Sequence, residues 1–366
     1  MPGANLEVPF QPIRNDLYTS LELMDGFAPD DPDSTARTLD FRCYRYFVAS
    51  GAAAPSDPYA GMMEALHDHS IMRAMSLFLD EVDVPSVAIM GDHKESRDTP
   101  TYGQIVEIAR RLTQRGCLVA SGGGPGAMEA THLGALLANA SDDEVGEAKE
   151  LLQTVPKLPA STTVVSDDGI VDMKIVGKLH NWAKPAFELA QRYMSNGGQS
   201  LAVPTWYYGS EPVSPLATRV AKYFQNSIRE DVLLTLAANG IVYTAGAAGT
   251  LQEVFQGAAQ NYYRKKHEAF APMIFFGAEF WTNTMPVLPV LEALFVGNKN
   301  LSPQDFKRLV AVVDTVDEAV DRLFEQEPSK QKTATRMEAK GFGPMMAAAR
   351  SLQKQAHFSS RHSLEG

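Results

Sequence analysis

The sequence predicts an α/β fold: a doubly wound parallel sheet with helices on both faces. Three observations point there. From residue 84 onward, short apolar runs alternate with amphipathic helical stretches. The runs are apolar at every position, as strands buried on both faces require. Two of them lead directly into glycine-rich turns followed by helices, an arrangement that puts ligands beyond the carboxyl ends of parallel strands.

Residues 1–55 are rich in Pro, Asp and Ser and carry turn signals such as Pro29-Asp30-Asp31-Pro32-Asp33, which reads as an irregular arm with little core of its own. Residues 59–82 have helical spacing, with Met62, Leu66, Met72, Met75 and Phe78 on the packed side. Val87-Ala88-Ile89-Met90, ended by Gly91, is the first strand, and residues 102–115 form a helix closed by Gly116. Cys117-Leu118-Val119-Ala120 is the second strand, followed at once by Gly122-Gly123-Gly124-Pro125-Gly126 and another helix. Residues 140–180 break the rhythm with acidic, turn-rich sequence and read as an insertion, a lid or an oligomer contact. Ser200-Leu201-Ala202-Val203 resumes the strands, and a helix over 220–239 follows, capped by Gly240. Ile241-Val242-Tyr243 leads to the second glycine turn and a helix over 250–263, and Met273–Phe276 and Leu309–Val313 supply the last strands. The chain therefore divides into an arm with helices (1–83), an α/β domain (84–327) and a basic tail of flexible composition (328–366).

At 366 residues, with 45% apolar and 21% charged residues, the chain has a globular composition. No run approaches the ~20 apolar residues of a membrane span, and the first residues lack the basic start and apolar run of a secretory signal. A cytoplasmic protein is the expectation. Two cysteines, Cys43 and Cys117, build neither a disulfide framework nor a cysteine-rich zinc site. The net charge of −11 argues against a nucleic-acid binder. From Ser329 to Gly366 seven basic residues face two acidic ones, a balance of +5 that leaves −16 on residues 1–328. A small anion would thus need a locally built site.

Both glycine turns can provide one. In the first, Ser121-Gly122-Gly123-Gly124-Pro125-Gly126-Ala127-Met128-Glu129, glycines let the backbone approach a ligand, and the helix start that follows offers free N–H groups. The alternative is a tight strand-to-helix turn that binds nothing. The spacing is a poor dinucleotide fingerprint, because Ala127 takes the last glycine position and Asp142 and Asp143 lie in a turn-like stretch, not at a strand end. Neither turn ends in the Gly-Lys-Ser/Thr of a P-loop. The second turn, Thr244-Ala245-Gly246-Ala247-Ala248-Gly249-Thr250-Leu251-Gln252-Glu253, puts Thr250 and Glu253 at capping-box spacing, the structural alternative to a functional Glu253. Upstream, Arg229 stands beside the buried stripe Phe224, Ile228, Val232 and Leu236; its ordinary fate is a surface arginine paired with Glu230. Arg219 and Lys222 carry the same expectation.

These two motifs, in order and about 120 residues apart, resemble the LOG (Lonely Guy) family, long described as lysine decarboxylase-like. The first is especially similar to that of the larger bacterial nucleotide 5′-monophosphate nucleosidases of the group. The resemblance covers roughly residues 84–325 and implies a Rossmann-like fold. It also implies hydrolysis of the N-glycosidic bond of nucleoside 5′-monophosphates to base and ribose 5-phosphate, with no metal or organic cofactor, in a homodimer or larger homo-oligomer. The family's second motif reads Pro-Gly-Gly-x-Gly-Thr-x-x-Glu. Gly246, Gly249, Thr250 and Glu253 match it, whereas Ala245 replaces the proline and Ala247 the second glycine, its methyl crowding the phosphate. Arg229 matches the family's arginine with one extra residue in the spacing, and Glu230 stands where a lysine is common. By this resemblance Glu253 and Arg229 are catalytic: the carboxylate meets the positive charge that develops on the ribose or activates water, and the guanidinium holds the phosphate. Gly246, Ala247, Ala248, Gly249 and Thr250 cradle the phosphate, and Gly122, Gly123, Gly124, Met128 and Glu129 line the nucleoside side.

Rival readings remain. A pyridoxal-phosphate decarboxylase needs a Schiff-base lysine, which neither turn supplies. The serious rival is a regulatory protein that binds nucleotide in the same pocket without hydrolysing it. His67-Asp68-His69 lacks a third ligand for a metal. Trp182, Trp206 and Trp281 and the Met62-Met63 pair read as packing, and Tyr207-Tyr208-Gly209 as a base contact to watch.

Overall fold

The computed structural model describes residues 8–160, 163–207, 212–264 and 268–325. Its sheet is built from β1 (Ser86–Met90), β2 (Leu118–Ser121), β3 (Ser200–Ala202), β4 (Arg219–Val220), β5 (Ile241–Tyr243), β6 (Met273–Phe276) and β7 (Val310–Val313). The strand order is β4-β3-β2-β1-β5-β6-β7, and all neighbours are parallel. The chain moves from β1 out to β4 on one side, then returns to β5 on the other. The loops leaving β1 and β5 therefore diverge, and a crevice at their carboxyl ends is the standard ligand position of such sheets.

The helices are α1 (Ser20–Leu23), α2 (Leu39–Ser50), α3 (Pro58–Val82), α4 (Pro100–Gln114), α5 (Ala127–Leu136), α6 (Asp142–Gln153), α7 (Met173–Tyr193), α8 (Asn226–Leu236), α9 (Ala248–Tyr262), α10 (Leu288–Glu292), α11 (Pro303–Leu309) and α12 (Val316–Phe324). Several starts are written locally. Thr99 accepts from the Tyr102 N–H ahead of Pro100, and Ser141 with Glu144 and Thr315 with Glu318 form reciprocal capping boxes.

Successive strand residues face opposite ways, which divides the core in two. Ala88, Met90, Leu118, Ala120, Ile241, Tyr243, Met273 and Phe275 pack with α3, α8 and α9. Val87, Ile89, Val119, Val242, Ile274 and Phe276 pack with α4, α5 and α12. Each fully buried aliphatic side chain contributes about 1.5–3 kcal/mol, and the polar strand residues Ser86, Ser121, Ser200 and Arg219 stand at strand ends. Among the described residues no helix is long and apolar enough to cross a membrane.

Three expectations need correction. The arm is not coreless: Phe10, Leu17, Tyr18, Leu23, Cys43 and Phe47 belong to the same core as Ala88 and Met90, and α2 occupies 39–50. Tyr18 also extends the sheet, exchanging hydrogen bonds with Val220 (Tyr18 N–H to Val220 O, 3.1 Å; Val220 N–H to Tyr18 O, 2.8 Å). Within the stretch read as an insertion, 140–180, α6 buries Val145, Ala148 and Leu152, and α7 begins at Met173. The helix expected over 220–239 begins only at Asn226, because Arg219–Val220 is spent on the edge strand β4. Lys222 is consequently buried and ion-paired with Asp40 instead of lying on a surface helix. The tail 328–366 lies outside the described residues.

Candidate active site

Three loops meet at the carboxyl ends of β1, β2 and β5. Thr244 donates through N–H and Oγ1 to the Met90 carbonyl (2.8 and 3.1 Å). The Asp92 N–H donates to Ala245 O (3.2 Å), and the Ala127 N–H to Asp92 O (3.1 Å). The loop after β1 is thus stitched to both glycine turns. Gly91 makes the approach feasible: a Cβ there would sit 1.9 Å from Thr244 Oγ1 and 2.8 Å from the Ala127 Cβ.

Arg229 joins the two turns. It is buried on α8, and its Nε donates to Val203 O just past β3 (2.9 Å). The guanidinium lies against Gly122, where a Cβ would fall 2.3 Å from Arg229 Nη2 and 2.7 Å from Met128 Sδ. Arg229 Nη1 is 3.6 Å from Glu230 Oε1 and 3.9 Å from Glu253 Oε1. The surface pairing expected for an unremarkable arginine is therefore only half right: Glu230 is its neighbour, but both are buried.

The turn ahead of α8 is fixed by Asp68 on α3, whose two carboxylate oxygens accept from the N–H groups of Phe224 and Gln225 (2.9 Å each). This is the work of the His67-Asp68 pair. His67 Nε2 meets the Tyr18 hydroxyl (2.9 Å), and burial holds the imidazole below its ordinary pKa. Among the described residues no group of three or more metal-ligating side chains occurs.

The second turn begins its helix earlier than the Thr-x-x-Glu spacing implies. Ala247 is the N-cap and carries no capping side chain, so Thr250 and Glu253 form no capping box. The first-turn N–H groups of a helix have no intrahelical partner, and here Ala248 and Gly249 are exposed while Thr250 is buried. Gly246 precedes them, half-buried. Ala247 is also exposed, with an ordinary extended backbone (φ −108°). Glu253, 14% exposed, accepts no hydrogen bond at its carboxylate among the described residues, and its one ionic neighbour is Arg229. Burial raises its pKa from 4.5 to about 7, with Arg229 pulling it down and Glu230 pushing it up.

The first turn is held from below by an uncharged network. Ser121 Oγ accepts from the Gly123 N–H (3.1 Å) and meets His132 Nε2 (2.8 Å), while His132 Nδ1 meets Ser200 Oγ (2.9 Å). Burial lowers the His132 pKa to about 3, so the ring is neutral. Gly123 and Gly124 are buried, and the Gly123 carbonyl accepts from Ser214 N–H (2.9 Å).

Glu129 does not line a nucleoside pocket. Its carboxylate is enclosed, receiving Arg97 Nε and Nη2 (2.7 Å each) and the Tyr102 hydroxyl (3.0 Å). Arg97 Nη1 donates to the carbonyls of Val155 and Trp182 (3.0 Å each), and the guanidinium lies 4.2 Å from the Trp182 ring centre. This pair ties α5 to the loop after β1 and to α7. Trp182, Trp206 and Trp281 are all packed, and Trp206 Nε1 also donates to Asp40 (2.9 Å). Met63 packs against the core, whereas Met62 is half exposed. Tyr207 is exposed, and Tyr208 and Gly209 lie outside the described residues. Sequence reasoning missed Gly91, Asp68 and Arg97. Only Gly91, a glycine ending a strand, left a local signal.

The candidate site therefore lies at the switch point of a parallel α/β sheet, where two glycine turns meet around Arg229 with Glu230 and Glu253 beside it. Residues 188–323, which include Arg229 and the second turn but not the first, match the family described as "Possible lysine decarboxylase". Over this segment, a little more than a third of its length, the chain is similar to that lysine decarboxylase-like family. Among solved structures, the X-ray structure of TM1055, a structural-genomics target, is 18% identical, covering 65% of this chain and 96% of that chain with a TM-score of 0.35. No curated protein matches the chain.

Proposed function

We propose that the protein hydrolyses the N-glycosidic bond of nucleoside 5′-monophosphates, releasing free base and ribose 5-phosphate. The observation that carries this reading is the meeting of Gly122, Arg229 and Glu253 at the uncapped start of α9. The N–H groups at Ala248, Gly249 and Thr250, with the helix dipole, suit a 5′-phosphate. In the reaction the C1′–N bond breaks, its electron pair leaving with the base, while a water oxygen bonds to C1′. Glu253 in its carboxylate form takes the water's proton and faces the positive charge that develops on the ribose. Arg229 orients the phosphate or the sugar. Because the carboxylate form is needed, activity rises as pH rises through about 7.

The test is base release from a panel of nucleoside monophosphates, followed by chromatography, with Glu253→Gln as control. Release by the wild type and not by the variant supports a phosphoribohydrolase. Nucleotide-dependent thermal stabilisation without release supports the second reading, a nucleotide-binding regulator, which the charge of Glu230 beside Arg229 favours. The same proposal has the protein acting in the cytoplasm as a homodimer or larger assembly. Phe255 and Tyr263, exposed 40% and 82% at the outer side and end of α9, are apolar surface suited to such a contact, and sedimentation reads the outcome.

A further inference from the structure

Two carboxylates, not one, share the guanidinium of the site, and they are held very differently. Glu230 is pinned: Oε1 accepts from Asn226 Nδ2 (3.1 Å) on α8, and Oε2 accepts from Gln252 Nε2 on α9. It therefore clamps the two helices together immediately beside Glu253. Glu230 is thus held in one place by donors from both helices. Glu253 accepts no side-chain hydrogen bond among the described residues and stands 3.9 Å from Arg229 Nη1, slightly farther than Glu230 at 3.6 Å. One guanidinium facing two carboxylates in a largely buried site does not stabilise both as anions equally, and Glu253 has only Arg229 to offset its burial.

We propose that Glu230 is a positioning residue for the reaction suggested above: by occupying Arg229 and supplying a fixed negative charge, it sets the pH at which Glu253 gives up its proton. The inference rests on the reading of Glu253 as the reacting carboxylate. The charged and titratable groups around Glu253 are few. Arg229 and Glu230 face it from α8, and the Tyr243 hydroxyl from β5 contacts Glu253 through the main-chain carbonyl (3.5 Å). Within 248–262, α9 itself carries no other charged residue. Removing Glu230 leaves Arg229 facing Glu253 alone, and the balance tips toward the Glu253 carboxylate.

The experiment is a titration of Glu253 in the full chain, read by NMR of ¹³C-carboxyl-labelled glutamate, with the signal assigned by its loss in Glu253→Gln. This readout needs no catalysis. In Glu230→Gln, which keeps the side-chain shape, the Glu253 midpoint is expected to fall by about one pH unit or more, a tenfold change in proton affinity. Gln252→Leu removes the clamp but keeps the charge, and is expected to move the midpoint less. If base release is observed, its ascending pH limb should move down with the NMR midpoint in Glu230→Gln. A midpoint unchanged in Glu230→Gln overturns the proposal, and a lower melting temperature with an unchanged midpoint assigns Glu230 a merely structural role. A midpoint that falls in an enzyme releasing no base upholds the coupling and rejects the hydrolase reading instead.

Discussion

Glu129→Gln tests directly whether the glutamate of the first motif binds ligand or holds up the fold. Both side chains of the Arg97–Glu129 pair are at most 1% exposed, and Arg97 makes two short bonds to the carboxylate, two to main-chain carbonyls and a stacking contact with Trp182. The amide keeps the shape and removes the charge, leaving a guanidinium without a counter-ion. Removing one partner of a buried pair costs about 3–5 kcal/mol. At roughly 2–4 °C of melting temperature per kcal/mol, the midpoint should fall by about 10 °C. The double variant Arg97→Met/Glu129→Leu removes both charges for apolar groups and should lose far less than the sum of Arg97→Met and Glu129→Leu, because the cost lies in the orphaned charge. Thermal unfolding by circular dichroism of the five proteins, alongside ribose 5-phosphate binding, decides the matter. A Glu129→Gln protein that melts within about 2 °C of the parent and yet loses ligand would refute the assignment. Strict additivity in the cycle would refute it too.

Three further outcomes follow from the same contacts. Gly249→Ala meets nothing within 4 Å and sits in the first turn of α9, so melting temperature should hold or rise by the equivalent of about 0.5–1 kcal/mol, while phosphate binding measured by calorimetry weakens because the methyl enters the anion's place. Gly122→Ala should abolish ligand binding by driving Arg229 and Met128 aside, and equal binding by parent and variant would show that the guanidinium is not held against this turn. Glu64 on α3 is buried, and burial, together with the nearby charge of Asp68, raises its pKa from 4.5 to about 7. The folded chain then holds its proton more tightly than the unfolded one, so stability falls as pH rises from about 4.5 to 7. Glu64→Gln should flatten that slope and gain at most about 3 kcal/mol above pH 7, read from urea unfolding at several pH values.

All the strands except the edge strand β4, and both glycine turns, were legible because each is a local pattern: an apolar run, then a turn, then a helical stripe. Arg229 was legible as a neighbour of the buried seam, although the sequence could not say that Gly122 leaves room for its guanidinium. What stayed hidden is non-local. Arg97 and Glu129 lie 32 residues apart and look like any two surface charges until the fold encloses them. Asp68 reaches Phe224 N–H across 156 residues. The arm reads as irregular because its aromatic residues follow no period; they are spaced to fill gaps against β4 and α8, not to line one face of a helix. The Thr250/Glu253 spacing misled for a different reason. The backbone leaving Gly246 turns helical at Ala248, three residues before the pattern's first helical position, and so turns a capping pattern into two interior positions.

Asp68 has a practical corollary for anyone who shortens this protein. The region that matches a known family begins at residue 188, and the α/β alternation at about 84, so trimming to either point looks harmless on paper. Yet the two N–H groups that open α8 are satisfied from α3, Phe224 is packed by Phe10 and Phe47, and the outer strand is completed by Tyr18. A fragment starting at residue 84 would carry every residue of the candidate site and lose the brackets that aim its arginine. Such a fragment, silent in an assay, would say nothing about the intact chain.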